Sequence, residues 1–170
     1  MNVVTNAGPL MVLGKLNLVH LLPELYDTVF VPAAVYDEVV ISGFAHGHPD
    51  AYVVKYAFDR GQLQLVHLGE ADLEDFVQEL PLGRGEIHVI QLALMRNIPL
   101  ALLDDKLARD FARSFGIKVK GSIGVLIDAY RQQILSVDEL SFALEEIKQR
   151  SDIWISSAFV DKIWHNLMRD

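Results

Sequence analysis

Short apolar segments of strand length alternate with amphipathic segments of helix length along most of the chain. In the helix-length segments apolar residues recur at helical spacing, as Leu10, Leu13 and Leu16 do after Pro9. Strands that alternate with helices predict a mostly parallel sheet with helices on both faces, and therefore a three-layer α/β fold. The strand-like segments are Val3–Val4, Thr28–Val31, Leu63–Val66, Leu100–Leu103 and Ile117–Val119.

The remaining pattern predicts helices and one clear loop. The loop is the segment from 42 to 49, SGFAHGHP, which holds two glycines and a proline. An acidic amphipathic helix is predicted over Glu70–Leu80, and further helices over Ala33–Val40 and Pro49–Gly61. At 170 residues the chain is predicted to be one domain, with a core of about residues 1–135 and a C-terminal helical appendage of about 136–170.

Composition and charge restrict the kinds of site that the chain can carry. The sequence has no cysteine, which excludes disulfides, thiolate metal sites and thiol nucleophiles and fits a reducing cytoplasm. The start, MNVVTN, lacks the pattern of a secretory signal, and the apolar runs are far shorter than a membrane span. The net charge of −8 argues against a large non-specific nucleic-acid surface, but it allows a small acidic site that holds a cation beside phosphate.

Polar side chains collect at the predicted carboxyl edge of the sheet. Asn6 ends the first strand, Asp104 and Asp105 end the strand at 100–103, Glu86 opens the helix before that strand, and Glu38 lies in an early helix. In open α/β sheets this edge is where sites are built. Carboxylates drawn together repel one another unless a cation neutralises them, and oxygen ligands without cysteine favour Mg²⁺ or Mn²⁺ over Zn²⁺.

Each of these residues also has an ordinary structural interpretation. Glu86 is favoured near a helix N-terminus by the helix dipole, by a few tenths to about 1 kcal/mol. Either Asp104 or Asp105 is a good N-cap for the next helix, worth about 1 kcal/mol, and Glu38 can be a solvated residue. Because one N-cap needs one aspartate, the second member of the pair remains unexplained by capping alone.

A basic face follows the acidic pair. Lys106, Arg109 and Arg113 share one side of a predicted helix, and Arg84 lies before Glu86. These residues and Ser122 are candidates for contacts with RNA phosphates. Arginine suits phosphate better than lysine because its guanidinium is a planar fork of donors. The alternatives are a solvated helix face for the basic residues and a helix cap for Ser122.

Four segments of the chain resemble PIN-domain proteins, in the branch related to VapC-type toxins. They are VVTNAGPLMVLGKLNLVHLL, VFVPAAVYDEV, LGRGEIHVIQLAL and LALLDDKLARDFARSFGIKVKGSIGVLIDA, which span residues 3–130 in order. The resemblance implies a central parallel sheet and Mg²⁺- or Mn²⁺-dependent cleavage of single-stranded RNA. It also implies a homodimer and a cognate antitoxin that fills the acidic pocket with a basic side chain.

The acidic positions of the family map onto Asn6, Glu38, Glu86 and Asp104, with Asp105 beside them. On this resemblance Glu86 and Asp104 hold the ion, Asn6 and Asp105 ligate directly or through water, and Glu38 completes the acidic pocket. The first position is most often aspartate in active nucleases of this kind. Asn6 supplies an amide oxygen without a negative charge, which lowers the expected affinity for a metal.

Two other functions are compatible with the same residues. A PIN-like protein that has lost catalysis and binds RNA or a partner is favoured by Asn6 and by the acidic net charge. A phospho-acceptor receiver domain is also doubly wound and rich in aspartate, but it requires an acidic pair after the first strand, where this chain has Thr5 and Asn6.

Overall fold

The computed structural model describes residues 1–169 of the chain. They contain a five-stranded sheet in which every neighbouring pair is parallel, in the order β3-β2-β1-β4-β5. Helices lie on both sides of the sheet, as predicted. The strands are β1 (Val3–Thr5), β2 (Val29–Pro32), β3 (Gln64–Val66), β4 (Leu100–Leu102) and β5 (Lys118–Lys120).

The central strands β1, β2 and β4 are buried at every position because both faces of the sheet are covered. Val3, Val4, Val31, Ala101 and Leu102 have no exposed surface. A parallel sheet buried on both faces needs such continuous apolar runs rather than an alternating pattern. Leu65 on the edge strand β3 is 37% exposed, which fits its place at the border of the sheet.

The helices connect the strands in chain order, and two short turns of other types interrupt them. Asp37–Ile41 is a π-helical turn and Glu70–Asp72 a 3₁₀ turn. The α-helices are α1 (Ala7–Lys15), α2 (Leu21–Leu25), α3 (Ala33–Tyr36), α4 (Ser42–Ala45), α5 (Pro49–Asp59), α6 (Asp75–Gln78), α7 (Arg84–Met95), α8 (Lys106–Ser114), α9 (Ser122–Arg131), α10 (Val137–Gln149) and α11 (Ser157–Leu167).

Two predicted elements differ from the structure. The predicted helix Glu70–Leu80 is instead the 3₁₀ turn followed by the single turn α6, because its charges are too dense on a segment that buries Val77 and little else. The predicted loop 42–49 begins with α4, since the helix that contains Glu38 continues through the π-helical turn to Ala45. Gly47, with a φ of +68°, then ends this segment in the left-handed conformation that glycine favours.

The described residues form two compact units, Met1–Ser122 and the part from Ile123 onward. The first unit contains the whole sheet. In the second unit α10 packs against α11, and Lys148 joins the two helices through Asp161 at 2.8 Å. None of the helices within residues 1–169 has the length and apolar character needed to cross a membrane.

Candidate metal site at the carboxyl edge of the sheet

The strand register brings the ends of β1, β4 and β5 side by side at one edge of the sheet. Thr5 pairs with Leu102, and Leu102 with Lys120. The backbone N–H of Asn6 donates to the Leu102 carbonyl at 3.0 Å, so the two chains stay aligned one residue beyond the end of β1. Asn6 and the Asp104–Asp105 pair therefore leave the sheet on neighbouring strands, as predicted.

A pocket of about 400 Å³ opens beside Asn6. The π-helical turn contributes Glu38 to it, and the first turn of α7 contributes Arg84 and Glu86. π-helical turns are rare and frequently mark functional sites. The complete lining is Asn6, Ala34, Glu38, Gly83, Arg84, Gly85 and Glu86.

Gly85 allows the polar groups of the pocket to approach one another. A Cβ at this position would lie 3.1 Å from the Asn6 Oδ1 and 3.3 Å from the Glu38 Oε2, closer than ordinary van der Waals contact. The amide oxygen and the carboxylate are thus both held against the backbone of α7. A side chain at residue 85 would occupy the space between them.

Asn6 carries a buried oxygen that lacks a hydrogen-bond donor. The residue is 8% exposed, and its Oδ1 has no partner among residues 1–169. A buried oxygen without a partner is costly, and it needs an explanation such as an ion or a ligand. The orphaned oxygen points to an electropositive group in the pocket.

The surroundings of Glu38 in the pocket disfavour its charged form. Burial, and in addition the nearby Glu86 carboxylate, raises the pKa of Glu38 above its ordinary value. Glu86 also accepts a hydrogen bond from the Gly83 backbone amide at 3.0 Å, which is the half of a capping box that a glycine N-cap allows. The ordinary structural role expected for Glu86 at the start of a helix therefore coexists with a place in the lining of the pocket.

The Asp104 carboxylate is held by hydrogen bonds from Ser122. The Ser122 amide donates to the Asp104 Oδ1 at 2.7 Å, and the Ser122 hydroxyl donates to the Oδ2 at 2.6 Å. Two glycines make room for this carboxylate, since a Cβ on Gly8 or on Gly121 would lie 3.1 or 2.8 Å from its oxygens. Asp104 follows the strand next to Asn6, but it is not part of the lining of the pocket.

Asp105 is the N-cap of α8. Its Oδ1 accepts a hydrogen bond from the Ala108 amide at 2.9 Å. The structure thus assigns the two aspartates different surroundings: Asp105 caps the helix, and Asp104 is bound to Ser122 at the edge of the sheet. Ser122 is itself fully buried and is the first residue of α9.

The predicted basic residues fall into three environments. Lys106 and Arg113 both pair with Asp110 on the exposed side of α8, at 2.7 and 3.2 Å. Arg84 lies at the mouth of the pocket. Arg109 lies beside Gly121, so the three basic residues of α8 have different neighbours.

The oxygen donors of the pocket fit Mg²⁺ better than Zn²⁺. No group of three His, Cys, Asp or Glu side chains within residues 1–169 is arranged to hold a metal. The pocket instead offers Glu38, Glu86 and the orphaned Asn6 oxygen. Mg²⁺ typically takes one or two protein carboxylates and keeps several waters, so these three oxygen donors suit it.

Sequence reasoning missed the glycines of the site. Gly8, Gly85 and Gly121 each lie against a polar side chain of this edge, although none has a positive φ. The motif Gly83-Arg84-Gly85-Glu86 held a signal, because a glycine inside the first turn of a helix is unfavourable unless space is needed.

Comparisons with known proteins identify the family of this chain. A solved structure, a domain of a functionally unknown protein from Methanocaldococcus jannaschii DSM 2661, is similar with a TM-score of 0.47 and 16% identity, over 71% of this chain and 89% of that one. No curated protein matches the chain. The family model described as DUF3368: PIN domain matches residues 2–169. The chain belongs to this PIN-domain family.

Proposed function

We propose that this protein is a Mg²⁺- or Mn²⁺-dependent endoribonuclease of the VapC-like, toxin–antitoxin type, which hydrolyses phosphodiester bonds of single-stranded RNA. PIN domains are generally metal-dependent nucleases, which supports a hydrolase. The observation that carries the proposal is the pocket in which Asn6, Glu38 and Glu86 meet around the open space beside Gly85.

Asn6, Glu38 and Glu86 are the residues that would hold the ion. Bound there, a divalent cation supplies Lewis-acid activation of a water and neutralises charge on the phosphate. A cation there would favour the charged form of Glu38, whose pKa is raised by burial and by the neighbouring Glu86 carboxylate. The uncharged Asn6 contributes an oxygen that otherwise lacks a donor.

The other acids have supporting positions in this proposal. Asp104 adds negative charge on the neighbouring strand, and Ser122 fixes the orientation of its carboxylate through two hydrogen bonds. Asp105 is the weakest candidate ligand of the proposed set, because one of its oxygens already caps α8. In this proposal Glu38 would also accept a proton from a water at its Oε2.

The proposed partners follow from the family resemblance. They are a single-stranded RNA substrate, a cognate antitoxin with a basic side chain for the pocket, and a second copy of the chain in a homodimer. The two carboxylates and the orphaned amide oxygen support the antitoxin proposal, because they would accept hydrogen bonds from an inserted arginine or lysine. A cytoplasmic location is also proposed from the family resemblance.

The test is cleavage of a single-stranded RNA oligonucleotide while Mn²⁺ or Mg²⁺ is titrated. Glu38→Gln and Glu86→Gln are expected to lower the cleavage rate at least about tenfold, since even residues that only support metal ligands have effects of that size. Glutamine at position 86 can still complete the capping box, so α7 should stay intact. Glu79→Gln, which removes an exposed carboxylate outside the pocket, is the matched control.

The same assay separates the nuclease from its alternative. A wild-type protein that binds the oligonucleotide but does not cleave it at any metal concentration would be a PIN-like RNA-binding module with weakened catalysis. The missing negative charge at Asn6 is the observation that favours this second candidate. Cleavage that persists in EDTA and in both glutamine variants would contradict the metal site itself.

A further inference from the structure

Arg109 has an unusual environment for an arginine of α8. Its Nε is buried and has no acceptor among residues 1–169. Lys106 and Arg113, one turn away on either side of the same helix, are both paired with Asp110. A buried guanidinium nitrogen without an acceptor loses its hydration and gains nothing in return, so an anionic ligand would stabilise it.

The guanidinium of Arg109 lies over Gly121 at the edge of the sheet. A Cβ on Gly121 would be 3.6 Å from the Arg109 Nη1 and 2.8 Å from the Asp104 Oδ1. Both oxygens of Asp104 are already hydrogen-bonded by Ser122, and Arg109 makes no ion pair with that carboxylate. The arginine is therefore close to the site, but its donors are not used to hold the protein together.

The order of the strands separates Arg109 from the metal pocket. Asn6 follows β1 and Gly121 follows β5, with β4 between them. Neighbouring strands are about 4.8 Å apart, so the two ends of this edge are about 10 Å apart. That separation puts Arg109 at a different point of the edge from the pocket, and it suits a different phosphate of the same strand.

We propose that Arg109 binds a phosphate of the RNA that neighbours the one that is cut. The inference rests on the proposed nuclease function and makes it more specific, because it defines the minimum substrate as an RNA with at least two phosphates. The planar fork of arginine matches the oxygens of a phosphate. Gly121 allows the guanidinium to lie close to the edge of the sheet, because a side chain at this position would separate the two.

The test compares two substrates that differ in their number of phosphates. Arg109→Met is expected to lower kcat/KM for an eight-nucleotide oligouridine about tenfold or more, as for other residues that support a site. The same variant should leave kcat/KM for the dinucleotide UpU, which has one phosphate, within twofold of wild type. Arg60→Met removes an exposed arginine that is hydrogen-bonded to Tyr56 and is not among the candidate RNA contacts, and it should affect neither substrate. Arg109→Lys should recover part of the loss, because it keeps the charge without the fork.

A binding measurement tests the contact independently of cleavage. With a fluorescein-labelled oligouridine in EDTA, the slope of log Kd against log salt should fall by about 0.7 in Arg109→Met, the value for one phosphate contact to a single strand. The thermal midpoints of all variants identify any that fail to fold, and Arg109→Lys then replaces Arg109→Met.

The outcomes distinguish the inference from the nuclease proposal. Equal losses on both substrates would mean that Arg109 only maintains the structure, and no loss on either would mean that it contacts no phosphate; both results overturn the inference. A reduced salt slope without any cleavage by the wild type would support the Arg109 contact and refute the nuclease. An unchanged slope in a protein that cleaves RNA would refute the contact alone. A wild type that neither binds nor cleaves the oligonucleotide would overturn both.

Discussion

Gly85→Ala should separate metal binding from folding. The added Cβ would lie 3.1 Å from the Asn6 Oδ1 and 3.3 Å from the Glu38 Oε2, and both atoms are at the ends of side chains that can move. The protein can therefore accommodate the methyl group by moving its proposed ligands out of the pocket. Alanine in place of glycine also favours the helix by up to about 1 kcal/mol. The metal-free variant should be as stable as the wild type, or slightly more stable.

The expected loss appears when Mn²⁺ is added. At a concentration of about one hundred times Kd, an ion that binds only the folded protein stabilises it by about 2.7 kcal/mol. Each tenfold loss of affinity removes about 1.4 kcal/mol of that stabilisation. For a domain of this size, such a loss corresponds to about 3–6 °C in the thermal midpoint.

The assay is thermal unfolding in EDTA and in Mn²⁺, with Mn²⁺ affinity from titration calorimetry. Gly69→Ala is the matched control, because a Cβ there would face the Asp72 carboxylate at an unstrained 3.6 Å and lies outside the pocket. A folded Gly85→Ala protein with wild-type Mn²⁺ affinity would refute the pocket as the metal site. Equal destabilisation in EDTA and in Mn²⁺ would show that the methyl group acts on packing alone.

Three further predictions concern residues around the site and in the second unit. Asp105→Asn should preserve the unfolding free energy in urea and the RNA cleavage rate, because asparagine caps as well as aspartate, whereas Asp105→Ala should lose about 1 kcal/mol; lost cleavage in Asp105→Asn would indicate a metal ligand instead. Ser122→Ala should weaken Mn²⁺ binding about tenfold in calorimetry, because the Asp104 Oδ2 loses its hydroxyl donor and only the backbone amide of residue 122 still orients that carboxylate; unchanged affinity would contradict this role. Hydrogen bonds from the Ser136 amide and hydroxyl lower the pKa of Glu139, so their stabilisation is present above its ordinary value of 4.5 and is lost as the pH falls through the lowered folded-state pKa. The stability difference between wild type and Glu139→Gln, measured by urea unfolding, should therefore shrink as the pH falls below 4.5, and a difference that does not change with pH would contradict this assignment.

The sheet could be predicted because its strands are buried on both faces. Val3, Val4 and Leu100–Leu102 are apolar without interruption, and a parallel sheet covered by helices is the arrangement that such runs favour. The acidic helix predicted over Glu70–Leu80 was wrong because periodicity alone does not form a helix. Helices in proteins depend mainly on burying an apolar face, and this segment buries Val77 and little else.

The candidate site was only partly accessible to sequence reasoning. The carboxyl edge of the sheet and the residues at its strand ends follow from the alternation of strands and helices. The division between Asp104 and Asp105 does not, because adjacent side chains differ in environment only once α8 and α9 are in place. Spacing could have distinguished Arg109 from Lys106 and Arg113, because those two lie four and three residues from Asp110 on the helix, whereas Arg109 is adjacent to it.

The π-helical turn at Asp37–Ile41 has a consequence for comparing this protein with its relatives. Such a turn holds one residue more than an α-helical turn would, and in a regular helix each residue rotates the side chains by about 100°. A relative that retained all the acids but lacked one residue between Tyr36 and Ser42 would aim its glutamate to a different side of the helix. An inventory of conserved acids would then count two proteins as equivalent although only one of them can assemble the pocket.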